Sequence, residues 1–192
     1  MSTILGIFAG LLLLVSGTFI LIQVKKGLST PNLTTWLINL CVGTINAFTF
    51  YEVVNSNIYQ SLIMFMSLFT LIVIFFYTMS KGKFAKLNQL DIILFILAIF
   101  VGVVWKLTDD RLANLLVQIV IFIANSATII GLWQKKLREY YVSWIFAVSA
   151  YIVAITSIML SSNQDWLAYF GPILNGVIGN GLVLILSSKT KK

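Results

Sequence analysis

The sequence predicts an all-α membrane protein of seven transmembrane helices, arranged as two parallel three-helix repeats joined by a linker helix (3+1+3). Three observations predict it. Of 192 residues, 59% are hydrophobic and 10% charged, with a mean hydropathy of +0.99. A soluble domain is roughly 45–50% apolar and about 25% charged, so this chain lacks the charge to face water. Seven apolar runs approach the roughly 20 residues that a bilayer requires. The lysines and arginines gather at alternate ends of those runs.

The runs are Ile4–Val24, Leu33–Tyr51, Ile58–Met79, Leu90–Trp105, Leu112–Trp133, Val142–Leu160 and Leu167–Leu186. The first begins without positive charge and is too long for a signal h-region, so it reads as a span. It stops at Lys25-Lys26. The second and third are parted by the polar stretch Asn55-Ser56-Asn57, and Lys81, Lys83 and Lys86 end the third. The fourth is the shortest. Asp109-Asp110-Arg111 precedes the fifth, and Lys135, Lys136 and Arg138 follow it. The seventh runs out into Lys189, Lys191 and Lys192.

Eleven of the thirteen basic residues thus lie on one side, and only Lys106 and Arg111 on the other. By the positive-inside rule the N-terminus is outside and the C-terminus cytoplasmic, as in a bacterial inner membrane. The same placement reads the net charge of +7 as orientation in a lipid bilayer, with no nucleic-acid partner. Cys41 is the sole cysteine and there is no histidine. A disulfide framework, a zinc site and a Ser–His base pair are therefore excluded. No Walker loop or Gly-x-Ser-x-Gly elbow occurs. No enzyme, metal or cofactor is expected.

The repeat is legible in rare residues. Ser16, Thr18, Ile20, Lys25 and Lys26 fall on Ser126, Thr128, Ile130, Lys135 and Lys136 at a spacing of 110. After a two-residue contraction in the loop, Trp36 falls on Trp144, Ser80-Lys81 on Ser188-Lys189 and Lys83 on Lys191, at 108. Three spans invert the chain and a linker span inverts it again, so the second half enters as the first did. The units are residues 1–80, a linker at 81–108 with the fourth span, and 109–192 with the basic tail.

These residues resemble the SWEET and PQ-loop transporter superfamily. Gln23-Val24-Lys25-Lys26 through Ser29-Thr30-Pro31-Asn32 to Trp36 is similar to a PQ-loop stretch, and Trp133-Gln134-Lys135-Lys136 through Trp144 to a weaker second copy. Gly171-Pro172-Ile173-Leu174-Asn175-Gly176 is similar to the SWEET stretch whose asparagine lines the cavity. The Ser-Thr-Pro-Asn run also resembles a group of small bacterial membrane proteins. The chain departs from the family in two ways. No proline precedes either glutamine, and Pro31 and Pro172 are the only prolines, so the family's proline hinges are not carried over. Ser67 stands at the first-half equivalent of Asn175.

Polar residues within spans face a bundle interior or a cavity. Asn39 and Asn46, seven apart, share a helix face. Asn125, Gln118, Asn175 and Asn180 lie in later spans. An amide can read a hydroxyl or join two helices, and both roles stay open for each. The expected substrate-binding set is Asn175, Ser67, Asn46, Asn125, Trp36 and Trp144. Five residues of ideal helix turn Asn180 about 140° away from Asn175, so only one is expected to face the cavity. Gly6, Gly10, Gly17, Gly176, Gly179 and Gly181 read as close helix contacts. Glu52 and Asp91 sit at span edges and no acid falls at a midplane, which argues for passive movement. The resemblance implies a carrier of a small polar solute, a sugar or other small metabolite, by alternating access. A carrier of the nicotinamide-riboside type and a non-transporting receptor or scaffold are the alternatives. A homo-oligomer stays open.

Overall fold

The computed structural model describes residues 1–29, 33–80, 89–161 and 165–189. Among them the regular structure is helical throughout. We number seven helices: α1 (Ser2–Lys25), α2 (Leu33–Val53), α3 (Ile58–Ser80), α4 (Gln89–Leu107), α5 (Asp110–Trp133), α6 (Tyr141–Met159) and α7 (Leu167–Lys189). Each expected run is a helix, with ends within three residues of those expected. Five of them, α1, α3, α5, α6 and α7, are long and apolar enough to cross a membrane.

The side chains are distributed as in a membrane protein. On α1, Ile4, Ile7, Phe8, Leu11, Val15 and Ile22 are exposed, while Gly6, Ala9, Gly10, Ser16, Gly17 and Gln23 are buried. Bulky apolar groups face outward, where lipid solvates them, and small or polar groups face the other helices.

Contacts along the helices establish their directions. Gly6 meets Tyr59 and Gly17 meets Thr70, so α1 and α3 run parallel. Ser2 bonds Ser157, and Ser16 bonds Ser143, so α1 and α6 are antiparallel. Asn46 meets Asn114 and Asn39 meets Asn125, so α2 and α5 are antiparallel. α3 packs against both α1 and α2, which do not touch each other among the described residues. α7 packs in the same way against both α5 and α6. α4 lies outside, on α2 and α5.

Small residues permit the closest approaches. A methyl group at Gly17 would overlap Thr70, and one at Gly176 would overlap the Tyr151 ring. Gly181 does not share this role, because a Cβ there meets nothing within 4 Å. The expectation of a packing glycine fails at that position.

The helix ends correct the sequence register. α5 begins and ends 108 residues after α1, and α6 begins 108 after α2. α1 and α5 also stop in the same way. Gly27 (φ 72°) and Lys135 (φ 57°), 108 apart, take the left-handed conformation. Leu28 N–H then bonds Gln23 O at 2.9 Å, and Lys136 N–H bonds Gly131 O at 2.8 Å. This is the Schellman stop that satisfies the last carbonyls of a helix. The spacing of 110 that superposes the two lysine pairs is thus two residues out of step with the helix ends. Lysines follow any span at this interface, so their coincidence carries no register.

Candidate functional site

A cavity of about 150 Å³ lies inside the bundle, walled by α1, α2, α3, α5, α6, α7 and the loop before α6. A water takes roughly 30 Å³ of liquid volume, so about five would fit. The cavity reaches from the helix middles, at Leu13, Asn46 and Asn175, to the lysine-rich end, at Trp36, Trp144 and Glu139. At the other end the bundle is closed. Phe50, Val53, Val54, Ile158 and Leu167 are buried there in one cluster. Ser2 and Ser157 exchange two hydroxyl-to-carbonyl bonds of 2.8 Å across that end.

The six expected residues, Trp36, Asn46, Ser67, Asn125, Trp144 and Asn175, all border this cavity. Seven pairs of lining residues lie 108 apart: Leu13 and Ile121, Gly17 and Asn125, Ile20 and Thr128, Trp36 and Trp144, Asn39 and Ala147, Gly43 and Tyr151, Ser67 and Asn175. The pairs are equivalent in place and different in chemistry. Tyr151 fills space from α6 where Gly43 leaves it open on α2, and the Tyr151 hydroxyl lies beside that of Ser67.

Gln118 on α5 organises the amides. Its Nε2 donates to Asn46 Oδ1 at 2.6 Å, and its Oε1 accepts from Asn175 Nδ2 at 2.8 Å. Asn175 Nδ2 also donates to the Gln118 carbonyl at 3.0 Å. Asn114 Nδ2 reaches Asn46 Oδ1 at 3.2 Å and Thr49 Oγ1 at 3.0 Å. One chain of amides therefore ties α2, α5 and α7. Gly171 makes room for it, since a Cβ there would press on the Gln118 amide. Asn39 Nδ2 donates to Asn125 Oδ1 at 3.2 Å. The Asn39 and Asn175 amide oxygens remain buried without a partner.

Asn180 borders the cavity together with Asn175, against the expected 140° divergence. Residues Pro172–Gly179 form a π-helical stretch within α7. There the backbone bond runs from i to i+5, and Asn180 N–H donates to the Asn175 carbonyl, so residues five apart stack on one face. The stretch begins at Pro172, which has no N–H to give and whose ring clashes with the carbonyl four residues back in an α-helix.

Glu139 was not singled out in the sequence, where it is one acid in a basic turn. It is only 7% exposed and borders the cavity. Burial pushes its carboxyl up to about 7, against the Ser29 hydroxyl, which donates to Oε2 at 2.9 Å and favours the charged form. The Trp144 indole N–H lies beside the same carboxylate without reaching hydrogen-bond geometry. The signal available was its isolation: Lys135, Lys136 and Arg138 surround a carboxylate with no counter-role at that interface. The tryptophans divide by place. Trp133 and Trp166 are 74% and 60% exposed, whereas Trp36 and Trp144 are half-buried in the cavity wall. Among the described residues, no three of Cys, Asp and Glu come together. The site offers amides, hydroxyls, two indoles and one carboxylate.

The fold and site define a class: a helical membrane protein with a cavity among its helices whose mainly apolar wall carries amides, hydroxyls and a carboxylate. No family model matches the chain, and neither a curated protein nor a solved structure matches it.

Proposed function

We propose that the protein is a SWEET-like carrier that moves a small polar solute by alternating access between two parallel three-helix units. One observation carries this reading: a cavity inside the bundle whose mainly apolar wall carries amides, hydroxyls and a carboxylate, lined by residues that recur at one spacing of 108. Polar groups in spans cost free energy unless paired or wetted, so the amides and hydroxyls gathered on this wall suit a polar solute. The helix contacts support the two-unit architecture. The third helix of each unit lies between the first and second, and α1 on α6 corresponds to α5 on α2. Parallel repeats about an axis along the membrane normal place such sites at their interface. The closed end and the end reached by the cavity then describe one of two alternating states.

Movement is passive in this reading, because no acid or histidine lies at the middle of a span. Glu139 sits in the loop before α6, at the lysine-rich end of the cavity, so it can set affinity without carrying a proton across. The test is uptake into proteoliposomes from a panel of labelled sugars, amines and nucleosides. A saturable signal is expected that supports counterflow and survives a protonophore. Accumulation abolished by the protonophore would replace the passive reading. Absence of uptake for every compound would favour a receptor or scaffold.

A further inference from the structure

We propose that Glu139, Trp36 and Trp144 form the cation-accepting end of the cavity, and that its solute is a small organic ammonium ion. This rests on the carrier reading and names the class of solute for the same site. Among the described residues, Glu139 is the one formally charged residue lining the cavity, and no Lys or Arg lines it. Its side chain is more than nine-tenths buried. Among the described residues the ion pair found is Arg111 with Asp165, at the far end, and no base pairs with Glu139. A buried carboxylate without a counter-ion is costly, and a cation in the cavity supplies the missing partner. Trp36 and Trp144 add two indoles to the same end, and a cation is attracted to an indole face.

Asn39 Oδ1 and Asn175 Oδ1 are buried and unpaired. The Trp144 indole N–H lies beside Glu139 and has no other partner. An ammonium head presents donors only, which suits a carboxylate. An anion would find a like charge in Glu139.

The groups that face the Glu139 carboxylate are the Ser29 hydroxyl from the loop after α1 and the Trp144 indole from α6. The basic residues on neighbouring turns, Lys25, Lys26, Lys135, Lys136 and Arg138, are exposed, and none pairs with it. Its protonation therefore governs cation binding directly.

The experiment uses the full chain in lipid nanodiscs and reads binding by calorimetry. The probes are methylammonium, ethanolamine, choline and 3,3-dimethyl-1-butanol, the last matching choline in shape without its charge. Choline is expected to bind at least tenfold more tightly than the neutral alcohol, and Glu139→Gln to erase that preference. In the wild type, choline affinity is expected to fall about tenfold from pH 8 to pH 6, following the charged fraction of a group titrating near 7. The alcohol is expected to show no such change. This second measurement needs no variant, so a misfolded Glu139→Gln protein leaves the proposal open to refutation. Equal binding of choline and the alcohol overturns it, as does failure of all three ammonium probes to bind. Charge-selective binding without uptake into proteoliposomes keeps the cation site and removes the carrier. Uptake of neutral polyols without charge preference does the reverse.

Discussion

Glu139 shows at the scale of one residue how burial becomes a pH effect. Its carboxyl titrates near 7 in the folded chain against an ordinary 4.5. Between those values the folded state holds a proton that the unfolded state has lost. Stability is therefore greatest below about 4.5 and falls as pH rises through 7. At 1.36 kcal/mol per unit, raising pH from 5 to 8 should cost about 2–3 kcal/mol. Glu139→Gln should lose that slope and unfold at a higher temperature than wild type at pH 8, with little difference at pH 5. Thermal melts in detergent at the two pH values check this. Parallel slopes for the two proteins would mean that the carboxylate is solvated. Asn175 carries a second residue-scale lesson. Its amide nitrogen is committed to Gln118, so Asn175→Ala strips a buried acceptor of its donor. It should cost about 1–3 kcal/mol of stability, whatever it does to solute binding. The melt is the measurement, and an unchanged midpoint would show that water replaces the amide.

At the scale of elements, the close contacts and the π-helical stretch set where side chains point. Gly176→Ala forces a methyl group into the Tyr151 ring and should cost roughly 1–3 kcal/mol, the usual range for overpacking. Gly181→Ala, on the same helix and in open space, should gain roughly 0.5–1 kcal/mol by removing a glycine from a helix interior. Thermal melts of the two variants should therefore move in opposite directions. A common direction would mean that α7 does not pack on α6 as described. Asn180 was legible as a polar residue, but its direction depended on whether α7 keeps 3.6 residues per turn. A proline in a membrane span allows either a kink or a wider turn, and the packing around Gly171 and Gln118 decides between them.

At the scale of the whole molecule, the proposed orientation rests on charge. The described basic residues at the lysine-rich end, among them Lys25, Lys135 and Lys189, lie where α1, α5 and α7 finish, opposite Arg111 and Asp165. In a Cys41→Ser background, a cysteine at Asn57 should react with an impermeant thiol reagent added outside intact cells, and one at Gly27 should not. Cys41 is removed because it is exposed. Ser162, Gly82 and Thr190 serve the same comparison and lie outside the described residues. Labelling at Gly27 and not at Asn57 would invert the proposed orientation.

The sequence by itself determined that the chain is helical, that its helices are apolar enough for a membrane, and, to within three residues, where each helix begins and ends. Those features follow from local quantities: length of apolar run, polar interruption, and charge at the boundary. The wall positions of Trp36, Asn46, Ser67, Asn125, Trp144 and Asn175 were also legible, because a polar or equivalent residue in an apolar run has few places to go. The register of the repeat was not. Two lysines after a span look alike at 108 and at 110, and only the helix ends separate the two. Tertiary structure alone decided that Gln118 joins three helices, that Asn180 turns to the cavity beside Asn175, and that Glu139 is buried. Each depends on what a distant segment brings to the same point. For Glu139 that segment is the loop carrying Ser29, 110 residues away, whose packing removes water from a carboxylate that the sequence leaves in a basic, solvated turn.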